Sequence, residues 1–180
     1  MRIISGEFKG RRITAPKKLP VRPTTDMAKE SLFNILNNHY YFDDISVLDL
    51  CAGTGNISYE FASRGAKDIT SVDENYGCIK FINETAEAFG MTINTIKSDI
   101  MKYLEQTQQQ HNVIFADPPY DWSTEEFSKI AKLVFENKLL KDEGMLVIEH
   151  SKHTDLSTAD HYSHSKLYGS NAFSFFIAED

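Results

Sequence analysis

This sequence predicts an α/β fold built on a parallel sheet with helices on both faces. Three observations carry that expectation. Short apolar runs alternate with helical patterns from Ile45 onward, the signature of strand–helix–strand units. A glycine turn, Gly53-Thr54-Gly55, follows the first apolar run, and an Asp117-Pro118-Pro119-Tyr120 loop follows the fourth. Ligands of such sheets bind beyond the carboxyl ends of the strands, so both loops fall on the binding edge.

Residues 1–15 suggest a short hairpin, with Arg2-Ile3-Ile4 and Arg12-Ile13-Thr14 as arms and a turn near Gly6 or Gly10. Residues 15–23 hold Pro16, Pro20 and Pro23 and read as an extended connector. Thr25 or Asp26 can cap a helix that runs to about His39, with Ala28, Leu32, Phe33, Ile35 and Leu36 on its apolar face. Residues 45–50 form the first strand, and a helix over 56–63 follows the glycine turn. Residues 68–73 read as the second strand, and 76–89 as a helix closed by Gly90. The third strand spans 92–97, with a short helix through Met101 and Leu104 behind it. Residues 112–116 are the fourth strand, 123–137 a helix and 144–149 the fifth strand. Residues 162–167 and 172–178 form a terminal strand pair around Gly169. No internal repeat is visible, and the Gln-rich tract 106–110 reads as a loop.

The 180 residues are 41% hydrophobic and 25% charged, enough for one domain with a sizeable core. No apolar run approaches the roughly 20 residues of a membrane span. The basic N-terminal residues are not followed by the apolar stretch of a secretory leader. Cys51 and Cys78 match no metal spacing and are too few for a disulfide scaffold. The six histidines form no ligand set, so no metal is expected, and a reduced cytoplasmic setting fits best.

The net charge of −7 hides an asymmetry. Residues 1–29 carry eight basic side chains (Arg2, Lys9, Arg11, Arg12, Lys17, Lys18, Arg22 and Lys29) against Glu7 and Asp26, which is +6 and leaves −13 for the rest. One surface meeting phosphate on an otherwise acidic body gives this pattern, as does a solvated charged hairpin.

The segment Val47-Leu48-Asp49-Leu50-Cys51-Ala52-Gly53-Thr54-Gly55-Asn56 runs an apolar strand through the glycine turn into a helix. Dinucleotide folds also use a Gly-x-Gly turn. Here Ser58 stands where their third glycine would be, and Asp49 lies four residues before Gly53. A carboxylate at that place repels a pyrophosphate and attracts an ammonium group. S-adenosylmethionine carries the ammonium and no phosphate. Asp73, 18 residues after Gly55 at the end of the second strand, suits both ribose hydroxyls. Asp99 follows the third strand, placed to accept from an adenine amino group or simply to cap the next helix.

In Asp117-Pro118-Pro119-Tyr120, two prolines stiffen the loop and remove two donors, so the loop presents acceptors. An exocyclic amino group of a base is a poor nucleophile, because its lone pair is delocalised into the ring. Acceptors on its hydrogens free that lone pair, and an aromatic face such as Tyr120 holds the base by stacking, worth roughly 1–3 kcal/mol.

The two loops together resemble those of class I amino-methyltransferases. Arg2-Ile3-Ile4-Ser5-Gly6-Glu7-Phe8-Lys9-Gly10-Arg11-Arg12-Ile13, Arg22-Pro23-Thr24-Thr25-Asp26-Met27-Ala28-Lys29-Glu30-Ser31-Leu32-Phe33-Asn34 and Tyr168-Gly169-Ser170-Asn171-Ala172-Phe173-Ser174-Phe175-Phe176 narrow the likeness. They are similar to the bacterial 16S rRNA (guanine-N2)-methyltransferases of the RsmD family. The resemblance spans nearly the whole chain. It implies a Rossmann-like class I fold, with a seven-stranded, mostly parallel sheet whose last strand is antiparallel. It implies one domain over residues 1–180, with 1–29 as an RNA-contacting hairpin and connector and 30–180 as the cofactor-binding and catalytic body. It implies methyl transfer from S-adenosylmethionine, giving S-adenosylhomocysteine, to N2 of a guanine in 16S rRNA. By position, Asp49, Ala52, Gly53, Gly55, Asp73 and Asp99 correspond to cofactor contacts, and Asp117, Pro118, Pro119 and Tyr120 to the catalytic loop. Arg2, Lys9, Arg11, Arg12 and Arg22 fall among the expected RNA contacts, with residues 22–25 near RNA or closing over the cofactor. The acidic body leads to an assembled small-subunit particle as the expected substrate, and a monomer is the expected form.

Three rival readings weigh less. A DNA adenine-N6 or cytosine-N4 methyltransferase shares the loop chemistry, but 180 residues leave little room for a target-recognition region. A glutamine-amide methyltransferase typically begins this loop with Asn, where this chain has Asp117. A non-catalytic RNA-binding module has no need of both loops intact.

Overall fold

The computed structural model describes residues 1–22 and 24–179, so Pro23 of the connector lies outside the described residues. Seven strands are β1 (Ser46–Leu50), β2 (Asp68–Asp73), β3 (Asn94–Lys97), β4 (His111–Ala116), β5 (Leu140–Ser151), β6 (Tyr162–Tyr168) and β7 (Asn171–Ile177). Five helices are α1 (Asp26–Asn37), α2 (Asn56–Ser63), α3 (Tyr76–Phe89), α4 (Ile100–Gln106) and α5 (Thr124–Glu136). The strands form one sheet in the order β3-β2-β1-β4-β5-β7-β6. β1 to β5 are mutually parallel, and β7 runs antiparallel to both β5 and β6. This is the expected Rossmann-like, seven-stranded sheet with its last strand reversed.

Strand periodicity explains why both faces are covered. Val47, Val113, Phe115, Met145 and Val147 point to one face, where α1 and α2 supply Leu32, Phe33, Ile57 and Phe61. Leu48, Leu50, Ile114, Ala116, Leu146 and Ile148 point to the other, against Leu104 of α4 and Phe127, Ile130 and Val134 of α5. Helix starts are set by side-chain caps. The Thr25 hydroxyl accepts from Ala28 N–H, and Asn75 accepts from Cys78 N–H. Ser123 and Glu126 form a reciprocal capping box on α5.

The structure shifts the start of one strand and adds detail to the N-terminal segment. β5 begins at Leu140 rather than Gly144, because Leu140 pairs with His111, and a register shift over residues 141–144 precedes the next pair, Met145 with Val113. Their exposed Lys-Asp-Glu run has no apolar alternation to announce a strand. The arms of the N-terminal hairpin are held by one Arg2–Arg12 bridge and flanking backbone bonds, including Ile3 N–H to the Arg11 carbonyl at 2.9 Å. Residues 29 and 30 both lie within α1, and Lys29 is buried.

Lys29 has a structural task. Its ammonium donates to Asn56 Oδ1 at 2.8 Å and to the Arg2 carbonyl at 2.5 Å, and lies 3.4 Å from Glu60. Fully buried Glu60 accepts from Ile4 N–H, Ser5 N–H and Arg64 Nε. Burial lowers the Lys29 pKa, and the neighbouring Glu60 carboxylate opposes that shift. α2 thereby ties the hairpin and α1 to the body. Among the described residues, no helix is long and apolar enough to cross a membrane.

Replacing Glu60 with Gln leaves the Lys29 charge buried without its counter-ion, so urea denaturation should show a loss of about 3–5 kcal/mol. Amide exchange at Ile4 and Ser5 should accelerate together, because both N–H groups share that carboxylate. Unchanged stability and exchange would mean that the hairpin is held by its apolar contacts alone.

Candidate functional site

Five neighbouring parallel strands meet the same edge of the sheet with an acid. Asp73 closes β2, Asp49 lies one residue before the end of β1, and Asp117 directly follows β4. Glu149 lies near the end of β5, and Asp99 follows β3 as the cap of α4. Parallel pairing brings these strand ends to one edge, with Asp49 opposite Ser71 and Phe115, two residues before Asp73 and Asp117. All but Glu149 line one cleft of about 930 Å³, the size of a small-molecule site.

The glycine turn forms one wall. Gly53 adopts φ +58°, and a Cβ there would come within 3.1 Å of Val21 Cγ1. Gly55, at φ +90°, starts α2, and a Cβ there would meet the Tyr59 ring at 2.6 Å. Only glycine takes both the left-handed backbone and the close approach without cost. Cys51 holds φ +55° without being glycine, a local strain at the mouth of the turn. Ala52 and Gly53 line the cleft, whereas Gly55 shapes the turn from behind and Pro118 is buried; neither is a lining residue.

Each expected acid has a defined environment. Asp49 is buried and accepts from the Ser58 hydroxyl at 2.6 Å, and that hydroxyl also meets Ser71 Oγ at 2.6 Å. Burial raises the Asp49 pKa to about 7, the Ser58 bond works against the rise, and Asp73 adds to it. Ser58, which the sequence marks only as a missing glycine, is therefore the partner that orients Asp49. Asp73 accepts from Gly53 N–H and Asn75 N–H, each at 2.9 Å, fastening the glycine turn to β2. Asp99 accepts from Lys102 N–H at 3.0 Å, so it does cap α4, while still lining the cleft.

The Asp-Pro-Pro-Tyr loop lines the same cleft through Asp117, Pro119 and Tyr120. Its Asp117 N–H bonds back to the Leu50 carbonyl at 3.3 Å, which holds the loop beside β1. Arg22 enters the cleft from the connector, ion-pairs Asp117 Oδ1 through Nη2, and places its guanidinium carbon 3.3 Å from the Tyr120 ring centroid. Of the five expected RNA contacts, Arg22 thus sits within the cleft. Arg2, Lys9, Arg11 and Arg12 are exposed on the hairpin, away from the cleft lining. Arg2 pairs with Asp26 at 3.1 Å, and Arg11 lies over the Phe89 ring at 4.7 Å.

Glu149 is a residue that the sequence reading misses. It is fully buried and accepts from Thr24 Oγ1 at 3.3 Å and Asn171 Nδ2 at 3.0 Å. The signal that could have found it is the one that marks Asp73: an acid at the carboxyl end of a core strand. Burial raises the pKa of Asp117, Glu149 adds to the rise, and the Arg22 guanidinium opposes it. Burial likewise raises Glu149, against Arg22 and the side chains of Thr24, Asn171 and Tyr120. Tyr120 is pushed up to about 12, chiefly by burial and then by Glu149. Its hydroxyl lies buried near Glu149 but makes no hydrogen bond of normal geometry.

Chemically, the cleft is rich in acceptors and negative potential. It suits a ligand with N–H and O–H donors and a positive charge, and it opposes phosphate. Tyr120 offers a face for a flat group.

Residues 1–177 match the protein family described as conserved hypothetical protein 95. The chain is 31% identical over 159 residues to ribosomal RNA small subunit methyltransferase D of Escherichia coli (strain K12), covering 88% of this chain and 78% of that protein. It is 31% identical over 173 residues to the protein of the same name from Haemophilus influenzae, covering 91% and 85%. The solved structure of a hypothetical protein from Thermus thermophilus superposes with a TM-score of 0.85 over 99% of both chains at 22% identity, a likeness of fold.

Proposed function

Because the chain belongs to the conserved hypothetical protein 95 family, the RsmD family that holds the small-subunit ribosomal RNA methyltransferases, we propose that it methylates the exocyclic N2 amino group of a guanine in 16S rRNA. The observation that carries this reading is the pairing, across one cleft, of a stiff loop presenting Asp117 and Tyr120 with a glycine turn flanked by Asp49 and Asp73.

The donor and acceptor set fits S-adenosylmethionine as the methyl donor. A side chain at Gly53 would crowd Val21, and the cleft is lined by acids. Asp49 would hold the amino-acid ammonium, Asp73 the ribose hydroxyls and Asp99 the adenine amino group, with Ala52 and Gly53 as the backbone floor. Gly55 would serve by shaping that floor. When bound, this molecule supplies an electrophilic methyl group on a sulfonium and leaves as S-adenosylhomocysteine.

The residues of the chain then prepare the nucleophile. Asp117 and adjacent backbone carbonyls accept from the base amino hydrogens and free the nitrogen lone pair. Pro118 and Pro119 keep those acceptors from moving, so little reorganisation is needed as charge develops. Tyr120 stacks on the base and fixes its approach. The nitrogen gains positive charge as the new bond forms, and the Asp117 carboxylate faces it. The exposed cations Arg2, Lys9, Arg11 and Arg12 would contact rRNA phosphates. The acidic remainder of the chain supports an assembled small-subunit particle as the substrate, acted on by a monomer.

Changing Asp117 to Ala should lower methyl transfer at least about 100-fold while calorimetry finds cofactor affinity within a few-fold. Activity retained within a few-fold would remove this loop from the chemistry.

Asp49 predicts a pH dependence. Its raised pKa of about 7 means that it is protonated in the free protein below that pH and charged above it. Cofactor affinity should therefore tighten as pH rises towards about 7, by up to about tenfold per unit, and level off beyond. The sign for folding is opposite. A raised carboxyl pKa contributes stability that is complete below 3.8 and lost as pH rises through about 7. Asp49→Asn should bind cofactor weakly and without this slope; a parallel slope in the variant would exclude Asp49 as its source.

Reversing Arg11 and Arg12 to Glu should weaken rRNA or particle binding and reduce the slope of log affinity against log salt by about one per lost phosphate contact. Filter binding across a salt series checks this, and an unchanged slope would put the hairpin off the RNA.

A further inference from the structure

We propose that Arg22 occupies the seat of the target base, and that a guanine takes its place by presenting N–H donors to Asp117, where Arg22 presents Nη2, and a flat face to Tyr120. This inference rests on the base-methylating reading above. The Arg22 guanidinium is a planar unit of one carbon and three nitrogens, with its carbon 3.3 Å from the Tyr120 ring centroid and an N–H on Asp117 Oδ1. The N1–C2–N2 edge of guanine contains that same unit, with N1–H and N2–H pointing the same way. Adenine and cytosine place an acceptor nitrogen beside their amino group, so they cannot offer two adjacent donors to one carboxylate. Beside this pair, the Tyr120 hydroxyl lies near Glu149 without a hydrogen bond of normal geometry.

Charge explains why the seat needs a placeholder. Asp117 and Glu149 are neighbouring acids at the ends of paired strands, and among the described residues Arg22 is the cation that pairs with Asp117. While Arg22 is in place, the acid pair is compensated. When a neutral guanine enters and Arg22 leaves, the uncompensated negative charge faces the nitrogen that becomes cationic during transfer. The connector is built to release. The backbone hydrogen bonds made within residues 15–22 are Leu19 N–H to Pro16 and Val21 N–H to Leu19, both internal to it. Its hold on the body is through side chains, with Val21 over Gly53 and Leu19 over Gly77. A displaced Arg22 moves outward to where rRNA phosphate would lie.

The test compares wild type, Arg22→Ala and Arg22→Lys, each saturated with S-adenosylhomocysteine and titrated with guanosine or adenosine. Emission of Trp122, the single tryptophan and a lining residue of this cleft, reports binding. Arg22→Ala should bind guanosine at least about fivefold more tightly than wild type, near 1 kcal/mol, with adenosine unchanged. Guanidinium chloride should compete with guanosine in Arg22→Ala, whereas sodium chloride at equal ionic strength should not. Arg22→Lys keeps the charge without the flat fork and should fall between. Guanosine affinity equal to or weaker than wild type in Arg22→Ala overturns the proposal, as does an equal gain for adenosine. If Arg22→Ala melts at a lower temperature, Arg22→Lys decides alone: tighter guanosine binding supports the seat and no gain refutes it. Nucleoside mass spectrometry of rRNA methylated by the wild type separates the two levels. A methylated base other than guanine sinks the functional reading, whatever the Arg22 titrations give.

Discussion

A row of carboxylates on the carboxyl edge of a parallel sheet is hard to bury, and the architecture around the cleft answers to that constraint. Asp73, Asp49 and Asp117 stand on or just after neighbouring strands, and Glu149 joins them from β5. Removing such groups from water costs several kcal/mol each unless hydrogen bonds or opposite charge compensate. Asp73 is satisfied by two backbone N–H groups, Asp49 by Ser58, and Glu149 by Thr24 and Asn171. Asp117 takes its compensation from Arg22. The edge that remains is negative, and it selects donors and cations over phosphates.

The N-terminal 25 residues are best understood as the complement of that edge and of α2 beneath it. The hairpin is anchored through Glu60, which gathers two of its N–H groups, Arg64 and the buried Lys29. From this anchor the connector crosses the mouth of the cleft and delivers Val21 to the glycine turn and Arg22 to the Asp-Pro-Pro-Tyr loop. The basic character of residues 1–29 therefore divides into three uses. Lys29 stabilises the fold, Arg22 compensates the acid pair, and Arg2, Lys9, Arg11, Arg12, Lys17 and Lys18 stay at the surface. A charge count along the chain merges these uses, because it carries no information on depth.

Much of the fold is legible in the sequence. α2 and α3 and the strand 68–73 fall where apolar periodicity and the closing glycine put them. The glycine turn and the double proline are legible because their residue types leave the backbone few alternatives. Where the local pattern is weak, the boundaries move, as for residues 140–143, which extend β5 through an irregular stretch that includes the exposed Lys-Asp-Glu run. Within the cleft, Asp49, Asp73, Asp99 and Asp117 are recognisable as strand-end acids, and Glu149 escapes notice although it has the same position on β5.

By itself the sequence determined the order of strands and helices, the two loops that meet at the sheet edge, and the acids that line it. These are local properties, written in periodicity of 2 or 3.6 residues and in the restricted backbones of Gly and Pro. Only the tertiary structure decided which charges are spent internally. Residues 22 and 117 lie 95 positions apart, residues 29 and 60 belong to different helices, and no local pattern encodes such pairs. They follow from sheet register and helix packing, which bring distant side chains within hydrogen-bonding distance after the chain has folded.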